Sequence, residues 1–102
     1  MVKLVEHLNT EQRLTFLFDM HGHSSAKGAF IYGNAFDSII SQVESQVFSK
    51  VLSMNSKYFQ YEACNFSEKH MKIKDRYEPL TKEGCARVVL GRSSGIIHCL
   101  TV

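Results

Sequence analysis

An apolar run, Leu14-Thr15-Phe16-Leu17-Phe18, leads straight into Asp19-Met20-His21-Gly22-His23-Ser24. This junction constrains the chain more than any other stretch. The run has the length and flanks of a strand buried on both faces. A strand that ends this way carries an acid and an imidazole at its carboxyl end, where open α/β sheets place their ligands. Residues 22–28 form a Gly/Ser loop, and residues 29–32 read as a second short strand closed by Gly33-Asn34.

The polar residues 6–13 lie ahead of the first strand, with Thr10 placed to cap a short helical turn. After it comes the clearest periodicity. Phe36, Ile39, Ile40, Val43, Val47, Phe48, Val51 and Leu52 fall at steps of three and four, and Ser38, Ser41, Gln42, Glu44, Ser45, Gln46 and Ser49 fill the other side. The pattern predicts a helix whose apolar face packs into the core. Tyr58-Phe59-Gln60-Tyr61 reads as extended. Residues 65–83 are polar, contain the sole proline, Pro79, and read as a long surface loop. Arg87-Val88-Val89-Leu90 is too short to separate helix from strand. Gly91 to Gly95 reads as a turn region. Ile96 to Val102 is strand-like and apolar, with no terminator, as expected of a sequence that continues.

A chain of 102 residues holds a single domain, residues 1–102. Its net charge of +2 is too small to argue for nucleic acid or an anionic membrane as a partner. It has no apolar run of about 18 residues to span a bilayer, and residues 1–7 lack the apolar core of a signal peptide. Cys64, Cys85 and Cys99 are too scattered for a metal knuckle and too few for a disulfide framework. They read as reduced thiols of a cytoplasmic protein.

His21 is the first candidate ligand, because a strand end holds an imidazole in a fixed orientation. Asp19 lies two residues earlier and can orient it or balance charge. Against this stands the ordinary reading of His21 as a surface or core histidine. One histidine does not hold a catalytic zinc, which takes three protein ligands. No HExxH occurs, and His7, His70 and His98 have no neighbour at ligand-like spacing. The densest basic stretch, Lys69 to Arg76, fits a solvated loop or a contact with an acidic partner. Arg87 lies at the edge of an apolar run and must find a partner or snorkel out. It reads either as a structural salt bridge or as a fork that grips a carboxylate.

Several stretches, taken in order, resemble the cytosolic carboxypeptidases, a branch of the zinc metallocarboxypeptidases. Asp19-Met20-His21-Gly22-His23-Ser24 is similar to that family's Asp-Leu-His-Gly-His-Ser/Ala signature, and Phe30-Ile31-Tyr32-Gly33-Asn34 to the strand that follows it. Cys64-Asn65-Phe66-Ser67-Glu68-Lys69 resembles a segment typical of the branch-point tubulin deglutamylases. Lys82-Glu83-Gly84-Cys85-Ala86-Arg87-Val88 resembles Lys-Glu-Gly-Ser/Thr-Gly-Arg-Val, and Ser94-Gly95-Ile96-Ile97-His98 matches Ser-Gly-Ile-Ile-His. Cys85 and Ala86 depart from the family pattern.

The resemblance implies an α/β metallocarboxypeptidase fold, with a mixed central sheet flanked by helices. It implies one catalytic zinc and removal of C-terminal glutamates from acidic tails such as those of tubulin. His21 would be the third zinc ligand, and Arg87 would grip the side-chain carboxylate of the departing glutamate. The other two ligands, a His-x-x-Glu pair, would lie upstream, and the catalytic glutamate just past the counterpart of Val102. On this reading the chain is the C-terminal part of a catalytic domain and is inactive alone. The alternative is a non-catalytic module that binds acidic protein tails through Arg87 and the basic loop.

Overall fold

The computed structural model describes residues 2–11, 14–20, 22, 26–72 and 85–102. Helix α1 (Val2–Thr10) precedes strand β1 (Phe16–Asp19), and the long helix α2 (Ile39–Asn55) follows. A 3₁₀ turn (Tyr61–Ala63), a short helix α3 (Glu68–Met71), helix α4 (Ala86–Ser94) and strand β2 (His98–Thr101) complete the order. The result is a mixed helix–strand architecture around a two-stranded parallel sheet.

β1 and β2 pair from Phe16↔His98 to Asp19↔Thr101. Beyond them Tyr32 and Thr101 exchange both backbone hydrogen bonds, each at 2.9 Å, in an antiparallel bridge. β2 is buried throughout, as its apolar sequence predicts. Its successive residues point to opposite faces, and each face has its own core. Cys99 packs with Val5, Leu90 and Ile96, joined by Leu14 and Leu17. Leu100 packs with Ile31 and Phe66, joined by Phe48, Leu52 and Phe59.

Several expectations change. β1 is not buried on both faces: Phe16 and Phe18 are exposed, and Leu17 and Asp19 half-buried. Among the described residues it pairs along one edge alone, and α4 packs against it. Residues 29–32 make single bridges at Ala29 and Tyr32 rather than a strand, and residues 58–61 a bridge at Phe59 followed by the 3₁₀ turn. Thr10, expected to cap a short helical turn, is the last residue of the nine-residue α1, its hydroxyl donating to the Glu6 carbonyl at 2.8 Å. The expected loop over 65–83 contains α3, which turns His70 and Met71 inward; residues 73–84 lie outside the described set. The ambiguous segment 87–90 is helical, and the expected turn at 91–95 is the end of that same helix, closed by Gly95 at φ 72°.

The largest correction concerns α2. The helix forms as its period predicts, capped by Ser38, whose hydroxyl accepts the Ser41 amide. Yet its apolar stripe faces outward: Ile39 and Ile40 are about four-fifths exposed, and Val43, Val47 and Val51 about half. The fully buried residues are Ser45 and Ser49. Small side chains there let neighbouring segments come close to the helix, while Phe48 and Leu52, one turn apart on one side of the serines, pack on the Ile31–Leu100 core. Periodicity identifies an apolar stripe but does not say what covers it. Ile40, Val43, Val47, Phe48 and Val51 line an open groove of about 500 Å³ with Phe16 of β1.

Gly91 of α4 is buried where the helix leaves no room for a side chain. A Cβ there would collide with the side-chain nitrogen of Asn34, which is buried and donates to the Arg87 carbonyl at 2.9 Å.

Two outcomes follow from this packing. Exposed apolar patches of this kind associate, so the isolated chain should sediment as a concentration-dependent oligomer. Val43→Lys combined with Val47→Lys should return it toward monomer; a strictly monomeric parent chain would refute this. Gly91→Ala should cost about 1–3 kcal/mol in urea unfolding, the range for overpacking. In an Asn34→Ala background that cost should largely vanish, because the clash is with Asn34; a fully additive double mutant would contradict it.

Candidate functional site

α4 carries the most unusual side chain of the described structure. Cys85 is its N-cap residue, with extended backbone, and Arg87 lies in the first turn. This first turn lies beside the carboxyl ends of β1 and β2, where Asp19 and Thr101 are paired and Arg87 reaches Thr101. Arg87 is 3% exposed. Its Nη1 donates to the Thr101 hydroxyl at 3.4 Å and to the Cys85 sulfur at 3.3 Å. Its guanidinium carbon stands 6.0 Å from the centre of the Tyr32 ring, at the outer limit of a cation–π contact.

Nε and Nη2 of Arg87 are buried and have no hydrogen-bond partner among the described residues. It does not snorkel to solvent, and among the described residues its hydrogen-bond partners are Thr101 and Cys85 and not a carboxylate. Burial pulls the guanidinium below its ordinary pKa, while Cys85, Asp19 and Tyr32, in that order, favour its charged form. Arginine nonetheless stays protonated in proteins. A buried cation with vacant donors is costly. The positive end of the α4 dipole adds to the same field. A cation in these surroundings favours a nearby anion, and the planar fork of donors has the geometry that suits a carboxylate.

His21, the candidate metal ligand, and His23 lie outside the described residues. Asp19 ends β1 two residues before His21, on the side of the sheet that faces the start of α4. Among the described residues no three His, Cys, Asp or Glu side chains converge to hold a metal ion. The described residues alone therefore do not fit a catalytic zinc, which takes three protein ligands.

The basic stretch is only partly a solvated face. Lys72 pairs with Glu68 at 2.6 Å on the surface, and Lys69 is exposed. His70 is buried, its ring 4.4 Å from that of Tyr32. Residues 73–76 are outside the described set. Sequence reasoning missed Tyr32 and Thr101 as neighbours of Arg87. The register of a parallel pair and the bridge at Tyr32 join segments far apart in the chain, and nothing in local spacing announces them. No described helix is long and apolar enough to cross a membrane.

These observations define an α/β protein whose candidate ligand is an anion bound at the carboxyl ends of parallel strands. Comparison with known proteins narrows the class. The chain is 44% identical over 92 residues to cytosolic carboxypeptidase-like protein 5 of Rattus norvegicus, a match covering 90% of this chain and 11% of the relative. The Homo sapiens protein of the same name is also 44% identical over 92 residues, covering 90% of this chain and 10% of the relative. Cytosolic carboxypeptidase 2 of Mus musculus is 30% identical over 100 residues, covering 97% of this chain and 10% of the relative. No family model matches the chain. The chain belongs to the cytosolic carboxypeptidase family. It spans about a tenth of the length of these curated relatives.

If Arg87 is kept for binding and not for folding, removing its charge should not weaken the fold. Arg87→Met, which keeps much of the volume, should leave stability unchanged or raise it by about 1–4 kcal/mol, as apolar replacement of buried ionic groups often does. Urea unfolding checks this, and a clear loss of stability would mark Arg87 as a structural cation.

Proposed function

We propose that this chain supplies the glutamate-recognising part of a zinc metallocarboxypeptidase that removes C-terminal glutamates from acidic protein tails, such as those of tubulin. The observation that carries the reading is the buried Arg87 guanidinium with Nε and Nη2 unpartnered among the described residues. A glutamate side chain would offer its two oxygens to those nitrogens. The pair would form away from water, where a charge-assisted bidentate contact is strongest. Thr101 and Cys85 hold Nη1, and Asn34 ties the Arg87 backbone to the loop after residue 32. The fork is thus fixed before substrate arrives.

In this reading the fold is that of a metallocarboxypeptidase, β1 and β2 being neighbours in its larger sheet. His21 would be the residue of this chain that holds zinc, and the metal would supply Lewis-acid chemistry to the complete enzyme. Arg87 binds and orients the departing residue. The working compartment is the cytoplasm, in keeping with three free thiols and with the names of the relatives.

In the complete enzyme, Arg87→Ala should lower kcat/KM for Glu-ended peptides by about 30-fold to several thousand-fold, the equivalent of about 2–5 kcal/mol for breaking a buried charged pair. Hydrolysis of a matched Leu-ended peptide should fall far less, and zinc content should be unchanged. Parallel kinetics on the two peptides make the comparison. Equal losses on both would assign Arg87 to the fold and remove the basis of the proposal.

A further inference from the structure

We propose that Cys85 is a modification site: hydroperoxides oxidise this thiol in preference to the chain's other two, and the Arg87 guanidinium holds the product. Three independent features meet at this sulfur. It stands 3.3 Å from Nη1 of a guanidinium that is 3% exposed. Two further nitrogens of the same group are buried without partners among the described residues. The cysteine is also the N-cap residue of α4, a helix of nine residues, and is only half-buried. Partial exposure lets an oxidant reach this sulfur, and the guanidinium in contact stabilises the negative charge that develops on the departing peroxide oxygen.

The other two cysteines have the opposite surroundings. Cys99 is wholly enclosed in the β2 core, and burial pushes its thiol up to about 11. Cys64 is raised chiefly by burial, and its sulfur is engaged by the Ile31 amide at 3.3 Å and the Gln60 carbonyl at 3.6 Å. Among the described residues neither has a guanidinium in hydrogen-bond contact. The chain therefore contains its own controls.

With hydrogen peroxide as the oxidant, the Cys85 sulfur attacks one peroxide oxygen. An S–O bond forms as the O–O bond breaks, so that sulfur loses two electrons and the peroxide gains them. The second oxygen departs with the thiol proton as water, leaving a sulfenic acid. Its oxygen accepts from the guanidinium, and thiol reduction reverses the change. An acceptor placed there competes with any incoming carboxylate. This last consequence rests on Arg87 being the carboxylate grip; the modification itself does not.

The test treats the full chain with hydrogen peroxide, traps sulfenic acid with dimedone and reads each cysteine by mass spectrometry. Cys85 should label on the order of tenfold faster than Cys64, with Cys99 slowest, and urea should erase the ranking. Arg87→Met should bring Cys85 down to the rate of Cys64, while Arg87→Lys should keep most of the advantage. Equal labelling of Cys85 and Cys64 in the native chain, or a Cys85 rate untouched by Arg87→Met, would overturn the proposal. In the complete enzyme, peroxide should suppress hydrolysis of Glu-ended peptides until a thiol reductant is added, and Cys85→Ser should abolish that response. Selective labelling of Cys85 with no change in hydrolysis would uphold the modification site and refute Arg87 as the carboxylate grip.

Discussion

Strand β2 is the element on which the rest of this structure depends. It is four residues long and fully buried, and it reaches neighbours on every side. One edge pairs with β1, the far end bridges to Tyr32, and the two faces seed separate cores through Cys99 and Leu100. Thr101 also accepts a side-chain hydrogen bond from Arg87. A short parallel pair has little stability of its own. Here Cys99, Leu100 and Thr101 are each used twice, once in the ladder and once in a core or at Arg87.

The cost concentrated at Arg87 is the counterpart of that stable centre. Desolvating a guanidinium without an anion opposes folding, and the hydrogen bonds to Thr101 and Cys85 offset it only in part. Stability given up at a binding group is regained when the ligand arrives. The buried charge is thus consistent with a group selected for what it binds, and not for how well it packs.

How much of this was legible in the sequence follows a physical line. Periodicity located α2 and the apolar β2, because both signals lie within a single element. It erred on the orientation of α2, since burying Ser45 and Ser49 depends on how closely other segments approach the helix. It also left Arg87–Leu90 undecided. The N-cap position of Cys85 and the left-handed Gly95 bound that helix, and both are plain only once the helix is known. For the site, Arg87 stood out as a cation in an apolar context. Its lack of a carboxylate partner among the described residues, and its neighbours Thr101 and Tyr32, depend on the β1–β2 register and the Tyr32 bridge. A single sequence does not encode these locally.

The inverted packing of α2 has a consequence for how substitutions in this region would be read. Hydropathy ranks Ile40, Val43 and Val47 as the positions that must stay apolar and Ser45 and Ser49 as free to vary. For the folding of the described unit the order is reversed. A larger residue at the fully buried Ser49 would have to displace its neighbours, whereas a lysine at Ile40 meets open solvent. Tolerance at the outer stripe therefore reports on whatever surface α2 meets in its biological setting, and intolerance at the serines reports on the fold itself. A single helix thus separates the two kinds of constraint, residue by residue, along its own axis.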